Sequence, residues 1–424
     1  MKIKTKNISI KEFKKIKTPK HRRPLKPWRL LGLVIRIISI PELFATRFSF
    51  KRVDMEKAGR GPWLILMNHS SFIDLKIAFK IFFPKRFCIV CTTDALVGKK
   101  PLMRLLGCIP TNKFVTDIPL VSDIIHAIKK QKVSVLMYPE AGYSFDGCAT
   151  AIPQKLGVLV KKLGVPVVFV KTEGAFLRDP LYNMLQKRKV KVSATVSCLL
   201  SSEEIKQKSP EDISEILNGA FTFDEFKEQQ QSRIVINESF RADGLHRILY
   251  KCPHCKTENK MSGSGTTLTC TECGKVWELT EYGSMKALEG ETEFSHIPDW
   301  YAWERGCVKE EIERGEYSLS SAVDIGVIAD HKALYMLGSG TLSHNAEGFT
   351  LNGCDGELEY THSPLASYSL NSDYFWYEIG DVICIGDRKC LYYCFPRDNT
   401  NVTKARLATE EIYKIQSEKS NIKA

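Results

Sequence analysis

A histidine and an aspartate stand five residues apart in segment 68–74, Asn-His-Ser-Ser-Phe-Ile-Asp. The apolar run 63–67 before this segment predicts a buried strand, and the apolar spacing over 75–82 after it predicts a helix. Residues five apart inside a helix lie roughly 140° apart around its axis and would not meet. They can meet if His69 lies in the strand-to-helix turn and Asp74 reaches back from the first helical turn. An imidazole oriented by a carboxylate can then take a proton from a hydroxyl, as acyl transfer requires.

Further polar segments follow other predicted strands. Strand 133–138 runs into Pro-Glu-Ala-Gly-Tyr-Ser at 139–144, and strand 165–170 follows a predicted helix over 156–163. Between the first two motifs, residues 107–113 read Gly-Cys-Ile-Pro-Thr-Asn-Lys. Strands that alternate with helices in this way predict an α/β fold. We expect this fold to contain a mixed sheet flanked by helices.

These four blocks together resemble the glycerolphosphate and lysophosphatidate acyltransferase family. That family has Asn-His-x4-Asp, Gly-x-Ile, Phe-Pro-Glu-Gly-Thr-Arg-Ser and Val-Pro-Val in the same order, and the resemblance covers about residues 25–200. It implies an acyl donor, either acyl-CoA or an acyl carrier protein, and a lysophospholipid acceptor, with lysophosphatidate as the leading choice. It also implies His69 as general base, Asp74 as its orienting partner, and a substrate-binding set of Asn68, Lys113, Glu140, Gly142 and Ser144.

The acceptor block departs from the family pattern. Ala141, Gly142 and Tyr143 replace Gly-Thr-Arg, so the guanidinium that would grip a phosphate with two hydrogen bonds is absent. Lys113, where the family usually has arginine, can bind phosphate only as a point charge. The altered block leaves a second interpretation open, a non-catalytic lipid-binding scaffold. If this pair stood alone, His69 could simply cap the helix and Asp74 could be a carboxylate of its first turn. The other three blocks disfavour this structural interpretation. A thioester donor is already activated, so no organic cofactor is expected.

The excess positive charge is confined to the first segment. Residues 1–60 contain 18 Lys and Arg against 4 Asp and Glu, whereas the rest contains 43 basic and 45 acidic residues. An apolar run over 30–40, closed by Pro41, is too short for a membrane span of ~20 residues. We therefore predict a basic tail and an amphipathic membrane-interface helix within 1–50, bound to an anionic membrane surface as a peripheral protein on the cytoplasmic face. An N-terminal helix packed on the catalytic domain is the alternative.

Two Cys-x2-Cys pairs, Cys252 with Cys255 and Cys270 with Cys273, are separated by fourteen residues. This spacing predicts a zinc ribbon with four thiolate ligands and a structural zinc ion. His254 lies between two ligands and is interpreted as a bystander. A zinc-ribbon protein associated with nucleic acid is the third functional class considered. The near-neutral charge beyond residue 60 disfavours that class, so no nucleic-acid partner is expected.

Together with the N-terminal segment 1–50, three further regions make four predicted regions in the sequence. An acyltransferase domain with its linker covers 51–247, the zinc ribbon covers 248–282, and a β-rich domain with a terminal helix covers 283–424. In the last region short strands alternate with turn signals such as Gly338-Ser339-Gly340, and the pattern resembles a pleckstrin-homology domain. Docking to lipid or protein and a purely structural role are both open for this region.

Overall fold

The protein is described by a computed structural model that covers residues 2–115, 117–398 and 400–422. The helices and strands of the first half follow in this order: β1 (Thr5–Asn7), α1 (Ile10–Phe13), α2 (Arg29–Ala45), β2 (Ser49–Val53), β3 (Leu64–Met67), α3 (Asp74–Phe82), β4 (Phe87–Thr92), α4 (Lys100–Leu105), β5 (Cys108–Thr111), α5 (Ile118–Ile125), β6 (Ser134–Met137), α6 (Leu156–Leu163), β7 (Val167–Glu173), α7 (Ala175–Arg178), β8 (Ser193–Leu200), α8 (Ser202–Gln207), α9 (Pro210–Ala220) and α10 (Glu225–Gln231).

The second half contains the remaining elements. In chain order they are β9 (Met261–Ser264), β10 (Thr267–Cys270), β11 (Val276–Leu279), β12 (Met285–Ala287), α11 (Ile297–Glu313), β13 (Leu319–Val327), β14 (Leu334–Asn345), β15 (Gly348–Gly353), β16 (Leu358–His362), β17 (Asn371–Trp376), β18 (Gly380–Gly386), β19 (Leu391–Pro396) and α12 (Val402–Ile422).

The first sheet is mixed and has helices on both faces, which confirms the predicted α/β class. Its strand order is β2-β8-β7-β3-β6-β4-β5, and only the β7–β8 pair is antiparallel among the described strands. In the central strand β3, Leu64 and Leu66 belong to one hydrophobic core and Ile65 and Met67 to another. Side chains alternate across a strand, so a continuous apolar run fits a strand that is covered on both faces.

Helix α2 extends beyond the apolar run over 30–40. Pro41, which closes that run in the sequence, lies inside the helix, and the helix continues to Ala45. Proline removes only one backbone donor, and the last turn is held by the buried side chain of Leu43 and by ion pairs of Glu42. The outer face of α2 exposes a continuous set of large apolar side chains: Leu30, Leu33, Val34, Ile37, Ile38, Ile40 and Phe44.

The basic N-terminal segment crosses to the C-terminal region. Strand β1 pairs in parallel with β14, with Thr5 opposite Leu334 and Asn7 opposite Met336. Ser9 then caps α1, and its side chain accepts a hydrogen bond from the backbone of Glu12. Neither element was predicted, because three polar residues have no strand pattern without the neighbouring strand that pairs with them.

The Cys-x2-Cys pairs lie beside a small antiparallel sheet of order β12-β11-β10-β9. The β-rich region beyond it is confirmed, as an antiparallel sheet of order β16-β15-β14-β13-β19-β18-β17 joined by β1 and followed by α12. The similarity to a pleckstrin-homology domain stays a prediction.

One expected turn lies inside a strand. Gly338-Ser339-Gly340 was predicted as a hairpin turn, but it belongs to β14. A Cβ atom at Gly340 would come within 2.4 Å of the Asn352 carbonyl oxygen on β15. The glycine therefore reflects close strand packing, which a single sequence cannot distinguish from a turn.

One hydrophobic core contains residues from all four regions of the chain, including Ile10 of the N-terminal segment. It also includes Phe145 and Phe176 of region 51–247, Trp277 beside the cysteines, Ile325 of the C-terminal sheet and Leu407 of α12. The regions are therefore packed together rather than strung along the chain. Within the described residues, no helix combines the length and the hydropathy of a membrane span.

Candidate functional site

His69 and Asp74 meet where β3 passes into α3. His69 Nδ1 lies 3.1 Å from Asp74 Oδ2, and the same oxygen accepts hydrogen bonds from the backbone amides of Ser70 (2.9 Å) and Ser71 (3.0 Å). Asp74 is buried, whereas the His69 side chain is one-fifth exposed (20%). We call this pair the His69–Asp74 dyad. The predicted geometry, in which the aspartate reaches back from the first helical turn, is the one observed.

The dyad fixes the chemical state of the imidazole. The Asp74 carboxylate accepts the Nδ1 proton, so the neutral ring carries its lone pair on Nε2, and no described residue hydrogen-bonds to Nε2. Burial lowers the pKa of His69 below its ordinary value of 6.5, and Asp74 only partly opposes this shift. A neutral imidazole with a free Nε2 atom can act as a base near pH 7.

Glu140 holds the backbone of His69. The buried Glu140 carboxylate accepts the His69 amide at 2.9 Å through Oε2 and the Thr150 amide at 3.0 Å through Oε1. The strands β3 and β6 are parallel neighbours, with Leu66 opposite Met137, so their carboxyl ends bring the two segments together. Burial raises the pKa of Glu140 to about 7, against the lowering effect of these hydrogen bonds. Glu140 therefore contacts the dyad's backbone directly.

The side chains of Asn68 and Ser144 also form hydrogen bonds to other residues of the protein. Asn68 Oδ1 accepts the Thr172 amide (2.8 Å) and the Thr172 hydroxyl (3.0 Å), while its Nδ2 donates to the Thr172 carbonyl and to Ser70 Oγ. The Ser144 hydroxyl donates to the Cys148 carbonyl at 2.6 Å. Both residues were predicted to bind substrate. Their contacts tie β3 to β7 and fix the loop after β6, and their substrate-binding role stays a prediction.

The loop after β6 keeps a backbone conformation that favours glycine. Ala141 stands where the resembled family has glycine, and its φ is +57°, a left-handed value that costs a non-glycine residue about 1–2 kcal/mol. The next residue, Gly142, is buried, and a Cβ atom there would have no described atom within 4 Å. Lys113 is half-buried beyond β5, and its charge contributes to the lowered pKa of His69. The side of the site near Gly142 thus has space, and Lys113 places a cation nearby.

Two tyrosines that the sequence did not single out as functional enclose the imidazole. The ring centroids of Tyr138 and Tyr143 each lie 4.1 Å from that of His69, at interplanar angles of 24° and 33°. Tyr143 also contacts Phe72, with centroids 5.1 Å apart. Tyr143 is the residue that replaces the family's arginine, so this departure exchanges a phosphate ligand for an aromatic ring beside the base.

One comparison with known protein families matches the segment that contains this site. The acyltransferase family model matches residues 49–171, which include the dyad, Lys113 and the loop after β6. Residues 49–171 form an acyltransferase-family domain. A crystal structure of the 1-acyl-sn-glycerophosphate (LPA) acyltransferase PlsC from Thermotoga maritima matches with 16% identity and a TM-score of 0.34, over 45% of this chain and 76% of that chain. No curated protein sequence gives a significant match.

The four predicted cysteine ligands come together outside the acyltransferase domain. The Sγ atoms of Cys252, Cys255, Cys270 and Cys273 all lie within 4.8 Å of one another. Backbone hydrogen bonds close a tight turn at each Cys-x2-Cys pair. In the first turn, for example, the Lys256 amide donates to the Cys252 carbonyl at 3.0 Å. Four converging thiolates can hold a metal ion in tetrahedral coordination and leave no open position for a substrate. His254 is largely exposed, lies near Glu293 and is outside the group.

We expect elemental analysis of the purified protein to find about one divalent metal ion per chain. Cys270→Ser should lose this metal, because three thiolates bind it less tightly than four. Cys198→Ser, which removes a cysteine outside the group, is the matched control and should retain it. Retention of the metal in Cys270→Ser would contradict the assignment.

Proposed function

We propose that the protein is a membrane-surface O-acyltransferase, which moves an acyl chain from a thioester donor to the free hydroxyl of a lysophospholipid. The leading acceptor is lysophosphatidate, which would yield phosphatidate, and the donor is acyl-CoA or an acyl carrier protein. The observation that carries this proposal is the His69–Asp74 contact, with Nε2 free, inside an acyltransferase-family domain.

The chemistry follows from the state of the imidazole. His69 Nε2 takes the proton of the acceptor hydroxyl as its oxygen attacks the thioester carbonyl carbon. The tetrahedral intermediate collapses with cleavage of the C–S bond, and the proton on Nε2 passes to the departing thiolate. Asp74 keeps the ring oriented and stabilises the transient imidazolium. The amides of His69, Ser70 and Ser71 donate to Glu140 or Asp74, so other groups must stabilise the oxyanion.

We assign different tasks to the remaining predicted site residues. Lys113 is proposed to contact the acceptor, and the space beside Gly142 is proposed to admit it. Asn68, Glu140 and Ser144 are proposed to position the dyad and its loop, because their polar atoms bond to the protein itself.

The other regions are proposed to be accessories of the catalytic domain over 51–247. The group of four cysteines, in the region 248–282, is proposed to bind structural zinc, which suits a set of four thiolates. The region 283–424 supports the loop after β6, since Arg406 donates to the Tyr143 carbonyl at 3.4 Å and stacks over Phe145. This contact favours a supporting role for the C-terminal region.

Helix α2 is proposed as the membrane anchor, on the cytoplasmic face of an anionic membrane. The exposed fraction reaches 67% for Ile38 and 83% for Phe44, although both side chains are apolar. Exposed apolar faces of this size mark interaction surfaces, and the basic residues of 1–60 favour anionic lipid.

A non-catalytic lipid-binding scaffold is the second candidate. The observation that favours it is the position of Tyr143, which covers one face of the imidazole and replaces the arginine expected there. A scaffold would bind lysolipid vesicles and show no turnover with any thioester donor.

His69→Ala should lower the rate of acyl transfer to lysophosphatidate by about 10²–10⁴-fold, because the general base is lost. The rate is measured with acyl-CoA and with acylated carrier protein across a panel of lysolipids. His21→Ala, which removes a half-exposed histidine paired with Asp123, is the control and should keep full activity. Unchanged turnover in His69→Ala would eliminate this base assignment.

Two protonation steps, of His69 and of Glu140, should lower kcat/KM as the pH falls. Activity falls as His69 becomes protonated, at a pH below 6.5, and falls partly when Glu140 is protonated near its pKa of about 7. In Glu140→Gln the step near pH 7 should disappear while the step below 6.5 remains. An acid limb that stays centred near pH 7 in this variant would contradict these roles.

Replacing Ile38 and Phe44 together by serine should weaken binding to anionic vesicles about tenfold, since two exposed apolar side chains are lost. Vesicle sedimentation gives the bound fraction. The control carries Val53→Ser and Leu288→Ser, two exposed apolar residues outside α2, and should bind like the parent. Equal losses in both double variants would rule out α2 as the anchor.

A further inference from the structure

Three cationic side chains converge on a single carboxylate at the end of α2. Glu42 Oε1 accepts hydrogen bonds from Arg178 Nη2 and from Lys187 Nζ, the latter at 3.0 Å, and Glu42 Oε2 accepts from Lys76 Nζ. The cations come from three separate places: α3, the end of α7 and the loop before β8. We call this group the Glu42 cluster.

Polar contacts connect the Glu42 cluster to the dyad. Arg178 Nη1 donates to Asp179 Oδ2 at 3.0 Å, and Asp179 Oδ1 accepts from the Ser71 hydroxyl. The backbone amide of Ser71 in turn donates to Asp74. The cluster therefore lies beside the turn that carries the general base.

The cluster holds more positive than negative charge. Three cations face only two carboxylates, those of Glu42 and Asp179. Burial raises the pKa of the Asp179 carboxyl group to about 6. Burial and the charges of Lys187 and Arg178 lower the pKa of Lys76. Mutual repulsion of this kind would be relieved by a further anion.

The position of Glu42 makes its contacts exchangeable. Its side chain is 17% exposed and that of Lys187 is 62% exposed, so solvent reaches one side of the cluster. The Glu42–Lys187 pair forms the exposed edge of the cluster, where a competing anion can replace the carboxylate at low cost. The Arg178 side chain is only 5% exposed, and it keeps Asp179 as a partner when Glu42 is displaced. Glu42 also stands between Ile40 and Phe44 in sequence, two residues on the apolar face proposed to meet the membrane.

We propose that Lys76, Arg178 and Lys187 form a binding site for the phosphate group of a lipid, and that Glu42 fills this site as an internal counter-ion until the phosphate displaces it. Phosphate oxygens accept the same hydrogen bonds as a carboxylate, and a guanidinium is suited to bind them in pairs. Arg178 would thus supply the guanidinium that is missing where Tyr143 replaces arginine. The assignment of the phosphate to the acceptor rests on the proposed function.

The test is a binding titration that needs no turnover. Glycerol 3-phosphate, a soluble phosphomonoester, is titrated by calorimetry at low ionic strength into His69→Ala protein and into the same protein carrying Glu42→Gln, Lys187→Ala or Lys57→Ala. Glu42→Gln removes the competing carboxylate and should tighten binding roughly two- to fivefold. Lys187→Ala removes a ligand and should weaken it by a similar factor. Lys57→Ala, which removes a similarly exposed lysine from its ion pair with Asp54, should change nothing.

Opposite effects of Glu42→Gln and Lys187→Ala support the site, because both break the same ion pair and a purely structural pair would give effects of one sign. Shifts in the same direction, or equal losses in Lys187→Ala and Lys57→Ala, would overturn it. A second arm uses phosphatidylcholine vesicles with and without phosphatidate. Effects in both arms assign the site to a phosphate of acceptor type, and effects with vesicles alone assign it to membrane headgroups. Because the background already lacks His69, a failure of the proposed acyl transfer would leave this result intact.

Discussion

The candidate site depends on one carboxylate that three donors hold in place. Asp74 Oδ2 receives two backbone amides and the imidazole, all from the six residues at and before the start of α3. An anion at the first turn of a helix is favoured by the unpaired amides there, so the local fold that ends β3 and begins α3 also orients the base. Because Asp74 is buried, its carboxylate needs these hydrogen bonds: a buried charge without partners would destabilise the fold. The sequence of a short turn thus determines which nitrogen of His69 is free.

The rest of the protein positions this turn from several directions. Glu140 holds the His69 amide from the neighbouring strand, and Asn68 fastens the same segment to β7 through Thr172. The loop after β6 is in turn covered by the C-terminal region, where Arg406 reaches the Tyr143 carbonyl. One hydrophobic core runs through the acyltransferase domain, the cysteine group and the C-terminal sheet. Substitutions in the cysteine group or the C-terminal sheet should therefore alter the position of His69, although these regions contain neither residue of the dyad.

Sequence reasoning succeeded where the determining contacts are local. The two dyad residues are five positions apart, the four cysteines lie in two short turns, and the buried strands have continuous apolar runs, so each leaves a recognisable pattern. It failed where the contact is distant. Glu42 contacts Arg178 across 136 positions, and Tyr143 packs against His69 only because β3 and β6 are neighbours. Glu42 is a single charge on an apolar helix and Tyr143 a single aromatic residue in a loop. Neither position belongs to a periodic pattern, so the sequence alone could not predict these two contacts.

The function of this site requires that Asp74 hold the proton of His69 on Nδ1 and leave Nε2 unprotonated. Nitrogen NMR of protein labelled at its histidine rings measures this directly, with His69 assigned by its absence in His69→Ala. At neutral pH we expect a protonated Nδ1 and an unprotonated Nε2 for His69, and loss of this preference in Asp74→Asn. A His69 ring protonated on Nε2 alone, or a spectrum unchanged in Asp74→Asn, would contradict it.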